Sequence, residues 1–237
     1  MNRRPLIYAA TTAGVLASSL LLGMPAAGAD SSDSPGQQKT VELAAALHEL
    51  NDSGASGHAH AVVRNQQIRS IQVSAHGLSP DAPHAMHIHY GEDARNECPT
   101  MGDATNTRAD GELRLSTADG LPAYGPIVVS LTTTGDTTPE SALAVDRFAT
   151  STDGSLDYSR GGINFTRVTG TGYSGTDGAG TPKQIADAIR AGEGVVVIHG
   201  VDYNGNGLYD FDSAGASELD PSLPAEATDP AACGVLR

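Results

Sequence analysis

The feature that most constrains the fold is a series of short segments in which apolar residues alternate with polar ones. In one segment Ala59, Ala61 and Val63 take every second position, and Ile71 and Val73 do the same in the next. This period of two is typical of half-buried β-strands. Further candidate strands lie at 41–47, 84–90, 113–116, 127–131, 143–148 and 195–199. Many short strands at near-regular spacing predict an all-β sandwich or barrel rather than a parallel sheet.

One helix is expected near position 185. Thr181 is a good N-cap, Pro182 fits the first helical position, and Gly192 is suited to end the helix. The Gly-, Ser- and Thr-rich span around this helix predicts a long, partly irregular insertion at about 150–193.

The N-terminus has the pattern of a signal peptide. Arg3 and Arg4 precede an apolar stretch, and the small residues Ala27 and Ala29 fit a cleavage site after Ala29. The stretch is interrupted by Thr, Ser and Gly and has no basic stop-transfer flank, so a membrane anchor is disfavoured. The sequence therefore predicts a signal peptide at 1–29, a flexible lead at 30–39, and one secreted or extracytoplasmic domain at 40–237 without a transmembrane segment. Export through the general or the twin-arginine route stays open.

The charge of the chain excludes one class of partner. The formal charge is −14, and it becomes −16 without the first 29 residues, which carry two arginines and no acids. A chain with this balance has no basic stripe to meet phosphates, so nucleic acid is not an expected partner.

The two cysteines, Cys98 and Cys233, are expected to pair. An exported protein is bound for an oxidising compartment, where two cysteines usually form a bridge. Two unrelated buried thiols are the alternative. A bridge over so long a loop stabilises by roughly 5 kcal/mol at most in the chain-entropy model.

Histidines give the strongest functional signal. His87 and His89 are two apart on a predicted strand, so both project from one face while Met86 and Ile88 face the core. Two imidazoles on one rigid strand can begin a copper or zinc site, and solvent-facing histidines are the alternative. His199 ends an apolar run that predicts a buried strand, where an imidazole needs a partner.

Three motifs resemble those of one family. The segment 84–89 (His-Ala-Met-His-Ile-His), with Cys98 following, resembles the copper-binding strand and first disulfide cysteine of Cu/Zn superoxide dismutases. Residues 195–200 resemble that family's later copper-histidine strand, and 231–236 are similar to its C-terminal Ala-Cys-Gly-Val strand. The resemblance covers roughly 80–200 and the C-terminus, and it implies a Greek-key β-sandwich. The stretch 77–91 also resembles the related chordin-type β domain, which generally lacks catalysis.

The resemblance assigns roles to individual residues. It implies that His87, His89 and His199 are copper ligands, that His84 is a structural histidine supporting them, and that Cys98 and Cys233 form the family's disulfide. Reference imidazole pKa values then predict copper binding near neutrality and release as the pH falls through about 6 to 5.

The chain also departs from the family's pattern. No histidine lies between Cys98 and His199, so the zinc ligands and the bridging fourth copper ligand have no counterpart, and zinc is not expected. The arginine that attracts and orients superoxide corresponds to Pro230. Arg95 and Arg108 are the candidates to replace it.

A second motif follows His199. Asp202, Asn204, Asn206 and Asp210 place oxygen side chains around a glycine, as calcium loops do. Position twelve of the loop is Ser213 rather than an acid, so a tight glycine-rich turn is the favoured interpretation and calcium the alternative. His48, His58, His60 and His76 are interpreted as surface histidines.

These observations predict an exported superoxide dismutase-like protein that binds copper through three histidines. Its small partners would be the copper ion and superoxide, which it would convert to oxygen and hydrogen peroxide at a rate lowered by the missing arginine and the negative charge. A non-catalytic chordin-type interaction domain and a copper buffer or chaperone are the alternatives. The sequence leaves the oligomeric state open.

Overall fold

The computed structural model describes residues 40–169 and 179–237. The predicted signal peptide at 1–29, the lead at 30–39 and residues 170–178 lie outside the described residues. The strands are β1 Thr40–Glu49, β2 Ser56–Arg64, β3 Gln67–His76, β4 Met86–His89, β5 Asn106–Thr107, β6 Leu113–Arg114, β7 Ile127–Ser130, β8 Leu156–Asn164, β9 Val168–Thr169, β10 Ala179–Gly180, β11 Gly194–His199 and β12 Pro230–Leu236. The α-helices are α1 Thr117–Tyr124, α2 Pro182–Ala191 and α3 Ala225–Thr228.

Eight strands form one antiparallel sheet in the order β7-β4-β11-β12-β1-β2-β3-β8. Strand β1 joins its two halves: residues 40–47 pair with β2, and His48 and Glu49 pair with Cys233 and Ala232 of β12. We call β1, β2, β3 and β8 the first half and β7, β4, β11 and β12 the second half.

The main core lies between the inner faces of the two halves. Alternate residues of β2, such as Ala59 and Ala61, lie in one buried cluster with Met86 and Ile88 of β4 and other residues of both halves. The predicted all-β class is confirmed, and the burial of Met86 and Ile88 is as predicted. A shared core between facing halves is the arrangement of a sandwich.

Helix α2 begins and ends as predicted. The side chain of Thr181 accepts a hydrogen bond from the amide of Gln184, Pro182 is the first helical residue, and Gly192 ends the helix with φ of 91°. Gly192 is favoured there because a positive φ costs other residues more.

Two expectations about local structure are wrong. A single helix was expected, but α1 and α3 also form. The candidate strand at 143–148 is a loop with a 3₁₀ turn at Val145–Arg147. The bounds of the expected partly irregular insertion stay a prediction, and the span includes β8, which pairs with β3 from Gln67↔Asn164 to Ala75↔Leu156.

Cys98 and Cys233 form a disulfide, as predicted, with their Cα atoms 5.7 Å apart. The bond ties the loop after β4 to β12, which itself pairs with β11 through Cys233↔Val197. It therefore fastens the segment that follows His89 to the strand beside His199.

Within the described residues, no helix is long and apolar enough to cross a membrane.

Candidate metal centre

Two neighbouring strands bring the three predicted ligands together. Strand β4 pairs antiparallel with β11, so that His87 lies opposite Val197 and His89 opposite Val195. Val195 and Val197 belong to a small cluster with Tyr124 and Cys233 that is separate from the main core. Because side chains alternate along a strand, His87, His89 and His199 project on this second face of the half-sheet.

The three imidazoles form a closed group. One nitrogen from each ring lies within 4.8 Å of the others, and the ring centroids of His87 and His199 are 5.0 Å apart. The residues are 3%, 1% and 3% exposed in the order His87, His89, His199. Within the described parts of the chain, this is the one group of three or more histidine, cysteine or acidic side chains close enough to share an ion.

Each imidazole is oriented by one hydrogen bond to the backbone. His87 Nε2 donates to the carbonyl of Ala142 at 3.1 Å, and His89 Nδ1 donates to that of Gly125 at 2.7 Å. His199 Nδ1 donates to the carbonyl of Thr228 at 2.6 Å. A carbonyl oxygen only accepts, so the nitrogen facing it carries the hydrogen and the tautomer of each neutral ring is fixed.

The other ring nitrogens are left as three lone pairs without a protein partner. His87 Nδ1, His89 Nε2 and His199 Nε2 are buried and make no hydrogen bond. Buried polar atoms are normally paired, and one without a partner calls for an explanation. Three converging bare nitrogens fit a metal ion, because imidazole binds metals through its unprotonated nitrogen.

Burial keeps these rings neutral. Loss of solvent lowers the pKa of His89 to about 3 and that of His199 to about 4. The pKa of His87 lies well below its ordinary value, because of burial first and then of the neighbouring His199 and His89. Protons therefore compete weakly for the metal-free folded site near neutrality, and the pH at which copper is released stays a prediction.

Helix α1 shapes one wall of the centre. The Tyr124 ring lies 4.3 Å from that of His89 between centroids, and Gly125, which ends the helix with φ of 81°, supplies the carbonyl that orients His89. Sequence reasoning missed α1 because it contains Gly120 and Pro122. Ser116 followed by Asp119 is a capping box that could have revealed it.

His84 lies behind the centre rather than in it. It is fully buried, and its Nδ1 and Nε2 lie 2.8 and 3.0 Å from the carbonyl oxygens of His199 and Ser79. A neutral ring carries one N–H, so it donates to one of these carbonyls at a time. The contact with the backbone of His199 is consistent with the supporting role that the resemblance implies.

A buried ion pair lies beside the carbonyl that orients His199. Both carboxylate oxygens of Asp229 accept hydrogen bonds from Arg114 Nη1 at 2.8 Å, and the Tyr203 hydroxyl donates to the same group. Burial raises the pKa of Asp229 to about 7, although Arg114 opposes the shift. Thr228, whose carbonyl accepts from His199, immediately precedes Asp229, so this pair fixes the chain next to the centre.

The arginines proposed for superoxide are engaged elsewhere. Arg95 pairs with Glu97 and Asp103. Arg108 lies 3.5 Å from Asp110 and 5.2 Å from the centre of the Tyr203 ring. Among the contacts of the described residues, neither arginine reaches the three imidazoles. Pro230, the residue that the resemblance aligns with an arginine, is buried at the start of β12.

No family model and no curated protein matches this chain. Support for a function therefore comes from the geometry of the centre and from the motifs that carry the resemblance.

The candidate calcium loop satisfies its own oxygen atoms. Asp202 accepts hydrogen bonds from the amides of Gly205, Asn206 and Gly207. The Asp210 carboxylate accepts from the side chain of Asn206 at 2.6 Å. Such internal bonding is what a tight turn of Asp, Asn and Gly requires, and calcium at this loop stays a prediction.

Proposed function

We propose that the protein is an exported copper-binding protein with the Greek-key sandwich of the Cu/Zn superoxide dismutase type. His87 Nδ1, His89 Nε2 and His199 Nε2 would hold one copper ion. The observation that carries the proposal is that three buried rings each bring one nitrogen within 4.8 Å of the other two and each have one buried nitrogen without a hydrogen-bond partner.

The donor set favours copper over other ions. Magnesium and calcium prefer oxygen ligands, whereas all three ligands here are imidazole nitrogens. Among divalent first-row ions, nitrogen sites bind copper most tightly, and three nitrogens without a fourth protein ligand also suit Cu(I). Structural zinc is almost always held by four ligands.

The chain's own residues orient the ligands and exclude water. The carbonyls of Ala142, Gly125 and Thr228 hold the rings in the ligating tautomer before any ion arrives, which lowers the ordering cost of binding. The rings of Phe148 and Tyr124 pack edge-on or tilted against His87 and His89. A bound copper would supply one-electron redox chemistry.

Superoxide dismutation is expected to be slow in this protein. The ligands are at most 3% exposed, so an anion has little access to the ion. The formal charge of −14 repels superoxide. Copper retention is thus the principal function that we propose, and the protein would act either as a slow dismutase or as a copper buffer. Its location would be extracytoplasmic, reached after cleavage following Ala29.

Metal analysis of matched variants tests this proposal. His89→Asn and His199→Asn place an amide N–H near the position of Nδ1, so each keeps its backbone hydrogen bond and loses the ligating Nε2. His87→Gln likewise keeps a donor near Nε2 and loses Nδ1. After loosely held metal is removed with EDTA, we expect one copper per chain in the unchanged protein and far less in each variant.

The contrary result is equally specific. Folded protein that takes up no copper would refute the proposal and favour the chordin-type interaction domain. Equal copper in all three variants would place the ion elsewhere. A copper-loaded protein assayed for superoxide removal then separates the slow dismutase from the buffer.

A further inference from the structure

Apart from His87, His89 and His199 of the centre and His84 behind it, four histidines remain, and they share one surface. His48 of β1, His58 and His60 of β2, and His76 of β3 are all exposed. They lie on the outer face of the first half, because the alternate residues of these strands are buried in the main core. This surface is distinct from the buried face that carries His87, His89 and His199.

His58 and His60 form a pair on a fixed backbone. Strand β2 is hydrogen-bonded on both sides, with Ala46 and Ser74 opposite His58 and with Ala44 and Gln72 opposite His60. Residues two apart on one strand face are about 6.7 Å apart along the strand. The two rings can therefore lean toward a common point without any movement of the main chain.

The neighbours of this pair leave space above the strand. Ala44 and Ala46 are short, and with Gln72, Ser74 and the two histidines they line a shallow depression of about 390 Å³. Long or charged side chains in place of Ala44 and Ala46 would cover the imidazoles or compete for them. The surface thus leaves both rings accessible to a hydrated ion.

We propose that His58 and His60 form a second, surface metal site that chelates Cu²⁺, with water in the remaining coordination positions. Two imidazole nitrogens with open positions suit the tetragonal geometry of Cu²⁺. The acidic chain, with a formal charge of −14, raises the local concentration of cations. This site does not depend on the buried centre.

Chromatography on immobilised Cu²⁺ tests the proposal directly, because only exposed side chains reach a resin-bound ion. The full chain, purified without a histidine tag and stripped with EDTA, should be retained. His58→Ala and His60→Ala should each elute at a several-fold lower imidazole concentration, since a chelate binds about tenfold or more tightly than a single ligand.

His48→Ala and His76→Ala are the matched controls. Both residues are exposed on the same face, but each is alone on its strand, and His76 Nε2 lies 3.0 Å from the Ser56 hydroxyl. We expect both to elute with the unchanged protein. Elution of His58→Ala and His60→Ala with the unchanged protein, or an equal loss in the controls, would overturn the proposal.

A titration in solution separates this site from the buried one. In the His87→Gln, His199→Asn background, Cu²⁺ should still bind by calorimetry, and adding His58→Ala should weaken that binding about tenfold or more. No difference between these two proteins would refute the surface site even if the buried centre binds copper as proposed.

Discussion

Acid should destabilise the metal-free protein through its buried histidines. The folded pKa of His89 is about 3, against an ordinary value of 6.5. Because the folded value is the lower one, the unfolded chain binds more protons between these pH values. The stability contributed by the neutral ring is therefore present above pH 6.5 and is lost as the pH falls.

The magnitude follows from the difference in proton binding. At pH 5 His89 is nearly all protonated in the unfolded chain and neutral in the folded protein. This difference lowers the free energy of unfolding by about 2 kcal/mol relative to pH 7. His199, with a folded pKa of about 4, lowers the free energy of unfolding by about the same amount over this pH range. Asp229 acts in the opposite direction, because its folded pKa of about 7 lies above the ordinary value.

The variant His89→Asn isolates one of these contributions. Asparagine does not titrate and keeps a donor for Gly125, and Asp229 is unchanged. The free energy of unfolding should therefore fall by about 2 kcal/mol less between pH 7 and pH 5 than in the unchanged protein. Urea unfolding followed by circular dichroism in EDTA measures this difference. The exposed His60→Asn serves as control, and an unchanged pH dependence in His89→Asn would refute the reasoning.

Three further predictions concern parts of the chain around the centre. Arg114→Met should lower the free energy of unfolding by about 3–5 kcal/mol, because it leaves the carboxylate of Asp229 buried without its partner; a change under 1 kcal/mol in urea unfolding would contradict this. Reduction of Cys98–Cys233 should lower the melting temperature, with an upper loss of about 5 kcal/mol for a bond between residues 135 apart; identical melting with and without reductant would contradict it. Asp202→Ala should lower the melting temperature without calcium, because the backbone amides of Gly205 and Gly207 lose their acceptor; a calcium-dependent rise that this variant abolishes would show instead that the loop binds the ion.

The ligating strands could be predicted from the sequence because their information is local. A period of two fixes that His87 and His89 share a face, and the apolar run before His199 marks a buried strand. The N-cap at Thr181 and the glycine at 192 similarly determine where α2 begins and ends. In each case the residues that determine the strand face or the helix end lie within a few positions of it in the sequence.

The groups that orient the ligands could not be predicted in this way. The carbonyls of Ala142, Gly125 and Thr228 come from one loop and two helix ends, 29 to 55 residues from the histidines they hold. Residues 143–148 have an apolar pattern, but the segment forms a loop whose Phe148 packs on His87. The pKa values depend on burial by such distant segments, so the pKa of about 3 for His89 could not be predicted from the ordinary value of 6.5.

The most direct test of the central claim is anomalous diffraction at the copper edge from crystals of the copper-loaded protein. We expect a peak about 2 Å from His87 Nδ1, His89 Nε2 and His199 Nε2, the usual distance of an imidazole nitrogen from such a metal. A weaker peak between His58 and His60 is compatible with the surface site. Copper bound in the crystal with no peak among the three buried nitrogens would contradict the account.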